Sequence, residues 1–209
     1  MIRRILPLLL LGAALAATLP SSARAQFFGQ TGPLGALPGD AKSCGVFLGS
    51  GRGNIDPMAE LRTNYSAHGT LGIQGTVENK IFGLQADART GLMHTDGDYP
   101  FELGGQLAAG LLTGGGQTGI YAQAVPGMSF EWDAGFGQSA AVYAGLGFRV
   151  TASNKRVGQG DGLWRLGGRL QYSNEIGMGA SLEDVAGSAH LLVGADFRFG
   201  GGGNRPAVH

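Results

Sequence analysis

The feature that most constrains this fold is a two-residue alternation of apolar and polar side chains that recurs along most of the chain. A period of two places successive side chains on opposite faces of a β-strand. Eight segments show this alternation, with turn-forming residues between them: 43–50, 69–77, 82–92, 101–112, 120–132, 140–150, 163–172 and 189–199. The 40 glycines among 209 residues disfavour helices, because an interior Gly costs about 1 kcal/mol relative to Ala. The sequence therefore predicts an all-β protein.

The apolar face of the last seven segments carries no charge, whereas the other face mixes Gln, Arg, Asp, Tyr and Gly. A soluble barrel buries its apolar face, and a membrane-spanning barrel turns that face outward. The segments are long enough for the second case, since a tilted strand crosses a bilayer in about 9–11 residues. The apolar-face aromatic residues also lie near segment ends, which is typical of interfacial girdles. These residues are Phe82, Phe101, Phe130, Trp132, Phe148, Trp164, Tyr172, Phe197 and Phe199.

Strands that alternate in direction sort the girdle residues and the connections into two ends. With eight strands, one end carries Phe82, Phe148, Trp164, Phe197 and Phe199, and the other carries the remaining four. The connections 52–67, 94–100, 133–139 and 173–188 share one end, and 78–81, 113–119 and 152–162 share the other. Because membrane barrels have longer extracellular loops and shorter periplasmic turns, the first set is predicted to lie outside. Segment 58–66 extends the second strand or belongs to a loop.

The chain divides into four predicted parts. Arg3 and Arg4 precede an apolar run and an Ala23-Arg24-Ala25 cleavage site, so residues 1–25 are predicted to be a secretory signal peptide. A Gly/Pro-rich lead-in follows over 26–42, then the barrel over 43–199 and a Gly-rich tail over 200–209. The single cysteine cannot form an internal disulfide, and a formal net charge of 0 argues against a nucleic-acid partner.

The terminal segment 191–199, LLVGADFRF, alternates and finishes on aromatic residues. Over 43–199 the chain resembles the small eight-stranded outer-membrane barrels of Gram-negative bacteria. The resemblance implies an antiparallel up-and-down transmembrane β-barrel with a structural, surface or interaction role in the outer membrane. It also implies contact with outer-membrane lipid, lipopolysaccharide and the barrel assembly machinery, while any partner of the extracellular loops stays unidentified. Such barrels usually end on an aromatic residue, whereas residues 200–209 follow Phe199 here.

The polar face places a cluster of charges in the predicted lumen. Its members are Asp87, Arg89, Arg149, Arg165, Arg169, Asp196 and Arg198. Unpaired charges are costly in a narrow interior, so we expect these groups to pair and to plug the barrel. The alternative within the same fold is a narrow pore lined by arginines. No cofactor, metal ion or catalytic residue is predicted.

Two other functions remain open at this stage. An exported lipocalin-like barrel would hold a small apolar ligand on its apolar face. A lipid A deacylase is the second alternative, because the segment Gln171-Tyr172-Ser173-Asn174 is similar to the His-x-Ser-Asn segment of that family. Gln171 stands where the family has histidine, which leaves Ser173 without an adjacent base. His190 is the candidate substitute, with Glu183 or Asp184 as its orienting acid.

Overall fold

The chain folds into a closed β-barrel in a computed structural model that describes residues 41–51, 54–78, 80–95, 101–135, 138–154, 156–173 and 175–200. The predicted signal peptide, most of the lead-in and nearly all of the tail lie outside these residues. Ten strands form the described barrel. They are β1 (Lys42–Gly51), β2 (Asn54–Ser66), β3 (Gly69–Glu78), β4 (Ile81–Thr95), β5 (Phe101–Gly114), β6 (Gln117–Gly135), β7 (Gln138–Ser153), β8 (Arg156–Gln171), β9 (Ile176–Val185) and β10 (Ser188–Phe199).

Each strand pairs antiparallel with the next along the chain, and β1 pairs with β10 to close the barrel. The prediction of an all-β, antiparallel, up-and-down closed barrel is therefore confirmed. The predicted count of eight strands is wrong, because the connections 52–67 and 173–188 each contain a further strand. The interior of ten strands is wider than that of eight, so more side chains are needed to fill it.

Strand β2 occupies segment 58–66 together with the preceding residues, and Pro57 obscured it in the sequence. Proline is tolerated in a strand only where its missing N–H interrupts no ladder hydrogen bond. The Pro57 carbonyl accepts a hydrogen bond from the Thr76 hydroxyl at 3.1 Å. The side of the β2 backbone that carries this carbonyl therefore faces β3. The β2–β3 ladder begins one residue later, at Met58 and Thr76, so the missing N–H lies beyond its end.

Strand β9 was predicted to be a loop because Gly177 and Gly179 dilute its pattern. Its outer face nevertheless alternates as Ile176, Met178, Ala180 and Leu182. A two-residue turn follows at 186–187, where Ala186 and Gly187 have φ of 55° and 77°. Two consecutive positive φ angles are the signature of the tight hairpin turns that match strand twist. The β9–β10 hairpin is therefore local and regular.

The ten-strand topology changes which connections share an end. The turn end carries five two-residue connections, at 52–53, 79–80, 115–116, 154–155 and 186–187. The terminal end carries the start of β1, the finish of β10 and the connections 67–68, 96–100, 136–137 and 172–175. All of the connections are short, so the predicted contrast between long and short loops is wrong. Phe197, Phe199 and Arg198 lie at the terminal end and not beside Phe82, because β10 runs opposite to the predicted direction.

Strand alternation separates an apolar outer wall from a polar lumen. Large apolar side chains are exposed on all ten strands, while the buried side chains include Gln, Arg, Asp and Glu from most strands. The barrel therefore has the reverse of a soluble protein's arrangement, with its polar groups in the interior. Separately, among the residues described, no helix has the length and apolarity of a membrane span.

Candidate functional site

The lumen holds three charge clusters, and the first joins β2 to β4. Asp87 and Arg89 project inward from β4, where Arg62 of β2 pairs with Asp87 at 2.7 Å. Glu60, two residues before Arg62, lies 3.2 Å from Arg62 and 3.3 Å from Arg89. Arg62 also donates to the Thr70 hydroxyl at 3.0 Å. Two carboxylates and two guanidinium groups therefore compensate one another in a buried site.

The second cluster joins β7, β8 and β9 through a shared carboxylate. Glu183 lies 2.9 Å from Arg165 and 3.7 Å from Arg149, and its side chain is fully buried. Arg149 also donates to the Gln123 side-chain oxygen at 2.8 Å, and Arg165 donates to Gln106. The two glutamines supply acceptors that a single carboxylate lacks, so both guanidinium groups are held in place.

The third cluster lies toward the terminal end and joins β8 to β10. Arg169 pairs with Asp196 at 2.5 Å and donates to Gln171 at 2.9 Å. Gly177 of β9 makes room for this pair, because a Cβ at that position would meet the Arg169 guanidinium and the Asp196 carboxylate. Arg198, two residues after Asp196, is half-buried at the same end.

A ladder of polar side chains connects the first two clusters. Tyr121 donates to Gln85 at 2.8 Å, and Gln85 donates to Gln74 at 2.9 Å. Gln74 then donates to the carboxylate of Glu60. At the other end of the ladder, the Arg149 guanidinium lies 4.8 Å from the centre of the Tyr121 ring, which is cation–π geometry. The polar side chains of the first two clusters thus form one continuous network from β2 to β9.

Sequence reasoning missed three members of these clusters: Glu60, Arg62 and Glu183. All three lie on β2 and β9, the strands that were predicted to be connections. A charge imbalance in the predicted cluster was a usable signal, since it held five arginines and only two aspartates. Because buried guanidinium groups require partners, the imbalance pointed to carboxylates in the unassigned segments.

Apolar and aromatic side chains also lie inside the lumen. Phe47, Met58 and Leu192 form one buried cluster near the turn end, and Val125, Leu163 and Val185 form another. Inward-facing glycines receive the larger rings. A Cβ on Gly167 would meet the Tyr143 ring, and a Cβ on Gly110 would meet the Tyr121 ring. Part of the high glycine content therefore makes room for aromatic side chains inside the barrel.

The predicted girdle residues all lie on the outer wall, in two groups. Phe82, Phe148 and Trp164 lie toward the turn end. The larger group lies toward the terminal end: Phe101, Phe130, Trp132, Tyr172, Phe197 and Phe199. In this group the Phe130 and Trp132 rings are 5.6 Å apart between centroids.

The residues of the deacylase alternative lie at opposite ends of the barrel. Ser173 is in the 172–175 connection, where its hydroxyl accepts from the backbone N–H of Ile176 at 3.1 Å. His190 lies inside the lumen near the turn end, 3.2 Å from the Ser188 hydroxyl. The structure therefore does not bring the proposed nucleophile and base together.

No protein-family model matches the chain, and no curated protein matches it. Solved structures of barrels do match. The KdgM porin is 9% identical, with 76% of this chain and 99% of that chain covered and a TM-score of 0.40. The outer membrane protein Omp33 of Acinetobacter baumannii is 10% identical, with 78% and 100% covered and a TM-score of 0.38. Ail, the attachment invasion locus protein of Yersinia pestis, is 11% identical, with 76% and 95% covered and a TM-score of 0.27.

Proposed function

We propose that this chain is an integral β-barrel protein of the outer membrane, with a structural or surface role and a lumen closed by paired charges. The observation that carries the proposal is the reversed distribution of polarity across the barrel wall. Leu107 and Leu146 are 67% and 71% exposed on the outside, while Arg89 and Arg165 are 1% and 2% exposed inside. Among the described residues, ten Asp, Glu and Arg side chains are buried. Burying these groups while exposing leucines is unfavourable in water, whereas an apolar outer wall is favourable in a bilayer.

The extent of the apolar wall supports a bilayer and not a partner surface. Exposed Leu, Ile, Val, Phe and Met side chains occur on every strand, so they encircle the barrel. Soluble monomers rarely expose apolar patches beyond a few hundred Å². A lipocalin-like carrier would need these side chains in its lumen, where the described residues are largely polar. That alternative is disfavoured for this reason.

Burial of the central polar side chains supports a closed lumen. Gln74, Gln85 and Glu183 are 0% exposed, whereas a water-filled passage beside them would leave them in contact with solvent. Ion pairs and hydrogen bonds from β2 to β9 cross the same region. A barrel with a closed lumen is suited to a structural or surface role. The narrow pore is the alternative that the experiment below tests.

The topology also supports an orientation. Residues 41 and 200 leave the barrel from the same end, the terminal end. An outer-membrane barrel inserts from the periplasm, and moving polar flanking segments across the bilayer is costly. We therefore place the terminal end in the periplasm and the turn end, with its five two-residue connections, outside. This is the reverse of the orientation predicted from loop lengths, in which the connections 94–100 and 133–139 lay outside.

Electrophoresis of the refolded protein with and without boiling tests the proposal. A closed barrel in detergent migrates faster before boiling, and fractionated cells should contain it in the outer membrane. Planar-bilayer recordings then test the lumen, and we expect no stepwise conductance. A protein that is soluble and β-rich without detergent would overturn the membrane assignment. Stepwise conductance from a heat-modifiable barrel would instead replace the plugged lumen with a pore.

A further inference from the structure

A groove of about 1070 Å³ extends along the barrel wall from β1 to β7 and is lined mainly by outward-facing side chains. Its lining also includes Ser43, Arg62, Asp87 and Gln123, whose side chains are buried on the lumen side. Its floor is an alanine patch on the three central strands, formed by Ala86, Ala88, Ala109, Ala122 and Ala124. Bulkier outward-facing side chains border the patch, with Leu71 and Ile73 on β3 and Phe148 and Val150 on β7. A convex barrel wall normally offers lipid no such recess.

Strand register explains how the groove arises. Ile73, Ala86, Ala109, Ala122 and Val150 are successive cross-strand partners, so they form one row across five strands. Small side chains in the middle of the row and branched ones at its ends leave a depression. In the neighbouring row, Leu107 stands between Ala88 and Ala124 and also lines the groove. The recess therefore follows directly from the positions of these alanines.

A cation borders the groove where it reaches the terminal end. Lys42 lies on the same cross-strand row as Phe199, Thr63 and Leu71, and all four line the groove. Among the strand side chains that the structure describes, Lys42 is the one cation that faces outward. It is the first residue of β1, so it lies at the level of the bilayer interface, where a lysine ammonium meets lipid head groups.

We propose that this groove binds an anionic phospholipid, with its phosphate group on Lys42 and an acyl chain along the alanine patch. The inference rests on the proposed function, which places the terminal end in the periplasm and hence Lys42 in the phospholipid leaflet. The volume is large enough for an extended acyl chain, since pockets for small molecules run from about 300 to 1,000 Å³. A second copy related by two-fold symmetry fits less well, because it brings two Lys42 ammonium groups toward each other in lipid.

Native mass spectrometry of the heat-modifiable barrel tests the site. The barrel is released from nanodiscs containing equal parts of phosphatidylglycerol and phosphatidylcholine with identical acyl chains. We expect preferential retention of phosphatidylglycerol, and we expect Lys42→Gln to reduce that preference about fivefold. Ala109→Leu fills the floor and should reduce retention of both lipids. Ala180→Leu is the matched control, because Ala180 faces outward on β9, away from the groove.

The outcomes separate this inference from the function on which it rests. A chain that gives no heat-modifiable band and does not enter nanodiscs overturns the proposed function. A barrel that enters nanodiscs but retains the two phospholipids equally overturns the lipid site alone. Equal losses from Ala109→Leu and Ala180→Leu would also overturn it, because the effect would then not belong to the groove. In a second set of nanodiscs that also contain lipopolysaccharide, Lys42-dependent retention of lipopolysaccharide in preference to phosphatidylglycerol would overturn the assignment to a phospholipid.

Discussion

Glu183 is the carboxylate on which the second charge cluster depends, and its replacement by glutamine is the most informative perturbation of the lumen. The side chain is 0% exposed and pairs with Arg165 at 2.9 Å and Arg149 at 3.7 Å. Glu183→Gln keeps the volume but leaves two guanidinium groups facing each other without a counter-charge. Removing one partner of a buried ion pair costs about 3–5 kcal/mol. We expect a loss of that size in the free energy of unfolding.

Denaturant unfolding of the barrel in lipid vesicles measures this loss, with the fluorescence of Trp164 and Trp132 as the signal. The expected result is a lower midpoint at an unchanged slope, which reports stability and not a change in exposed surface. Glu175→Gln is the matched control, since Glu175 is exposed in the 172–175 connection and should change stability by about 0.5 kcal/mol or less.

A double variant separates charge compensation from general disruption. If Glu183 acts by neutralising Arg165, Glu183→Gln combined with Arg165→Gln should cost less than the two single losses added together. Coupling between contacting groups falls in the range of about 0.5–3 kcal/mol. A Glu183→Gln loss below about 1 kcal/mol, or strictly additive single losses, would refute the view that this ion pair holds the lumen together.

Three further predictions concern the wall, the packing and the orientation. Leu146→Arg, on the lipid-facing side at 71% exposure, should lower the free energy of unfolding in vesicles by about 2–4 kcal/mol; a neutral result would show that the outer wall does not meet lipid. Gly167→Ala should cost about 1–3 kcal/mol, because the added Cβ meets the Tyr143 ring, and combining it with Tyr143→Ala should remove most of that packing clash in the same unfolding assay. Lys80 lies in a turn-end connection, so Lys80→Cys in a Cys44→Ser background should react with a membrane-impermeant maleimide on intact cells. Labelling only after permeabilisation would show that the orientation is the reverse.

The polarity of the two faces could be predicted because it follows from a strict period of two. Leu146 and Arg149, three residues apart on β7, fall on opposite faces by parity alone, and the structure places them so. Eight of the ten strands could be located by this alternation. The closed antiparallel architecture followed from their number and from the turns between them.

The strand count and the counter-charges could not be predicted by the same reasoning. Pro57 and the glycines at 177 and 179 weakened the pattern in β2 and β9, although β2 pairs regularly with β1, and β9 pairs regularly with both neighbours. Losing these strands also removed Glu60 and Glu183 from the lumen and reversed the direction of β10. Local propensity is weak evidence in such strands, because pairing with neighbours on both sides decides their structure.

The division of the lumen charges among the strands bears on how such a barrel enters a bilayer. The first charge cluster uses β2 and β4, and the second uses β7, β8 and β9, so each draws its ion pairs from strands close together in sequence. The β1–β10 seam, by contrast, joins the first and last strands of the chain and closes only after all ten strands are present. A half-inserted, open sheet would therefore bring these charges into the hydrocarbon as paired groups and not as isolated ions. We expect this order of assembly to lower the barrier to insertion, because the desolvation of each ion would already be offset before the seam forms.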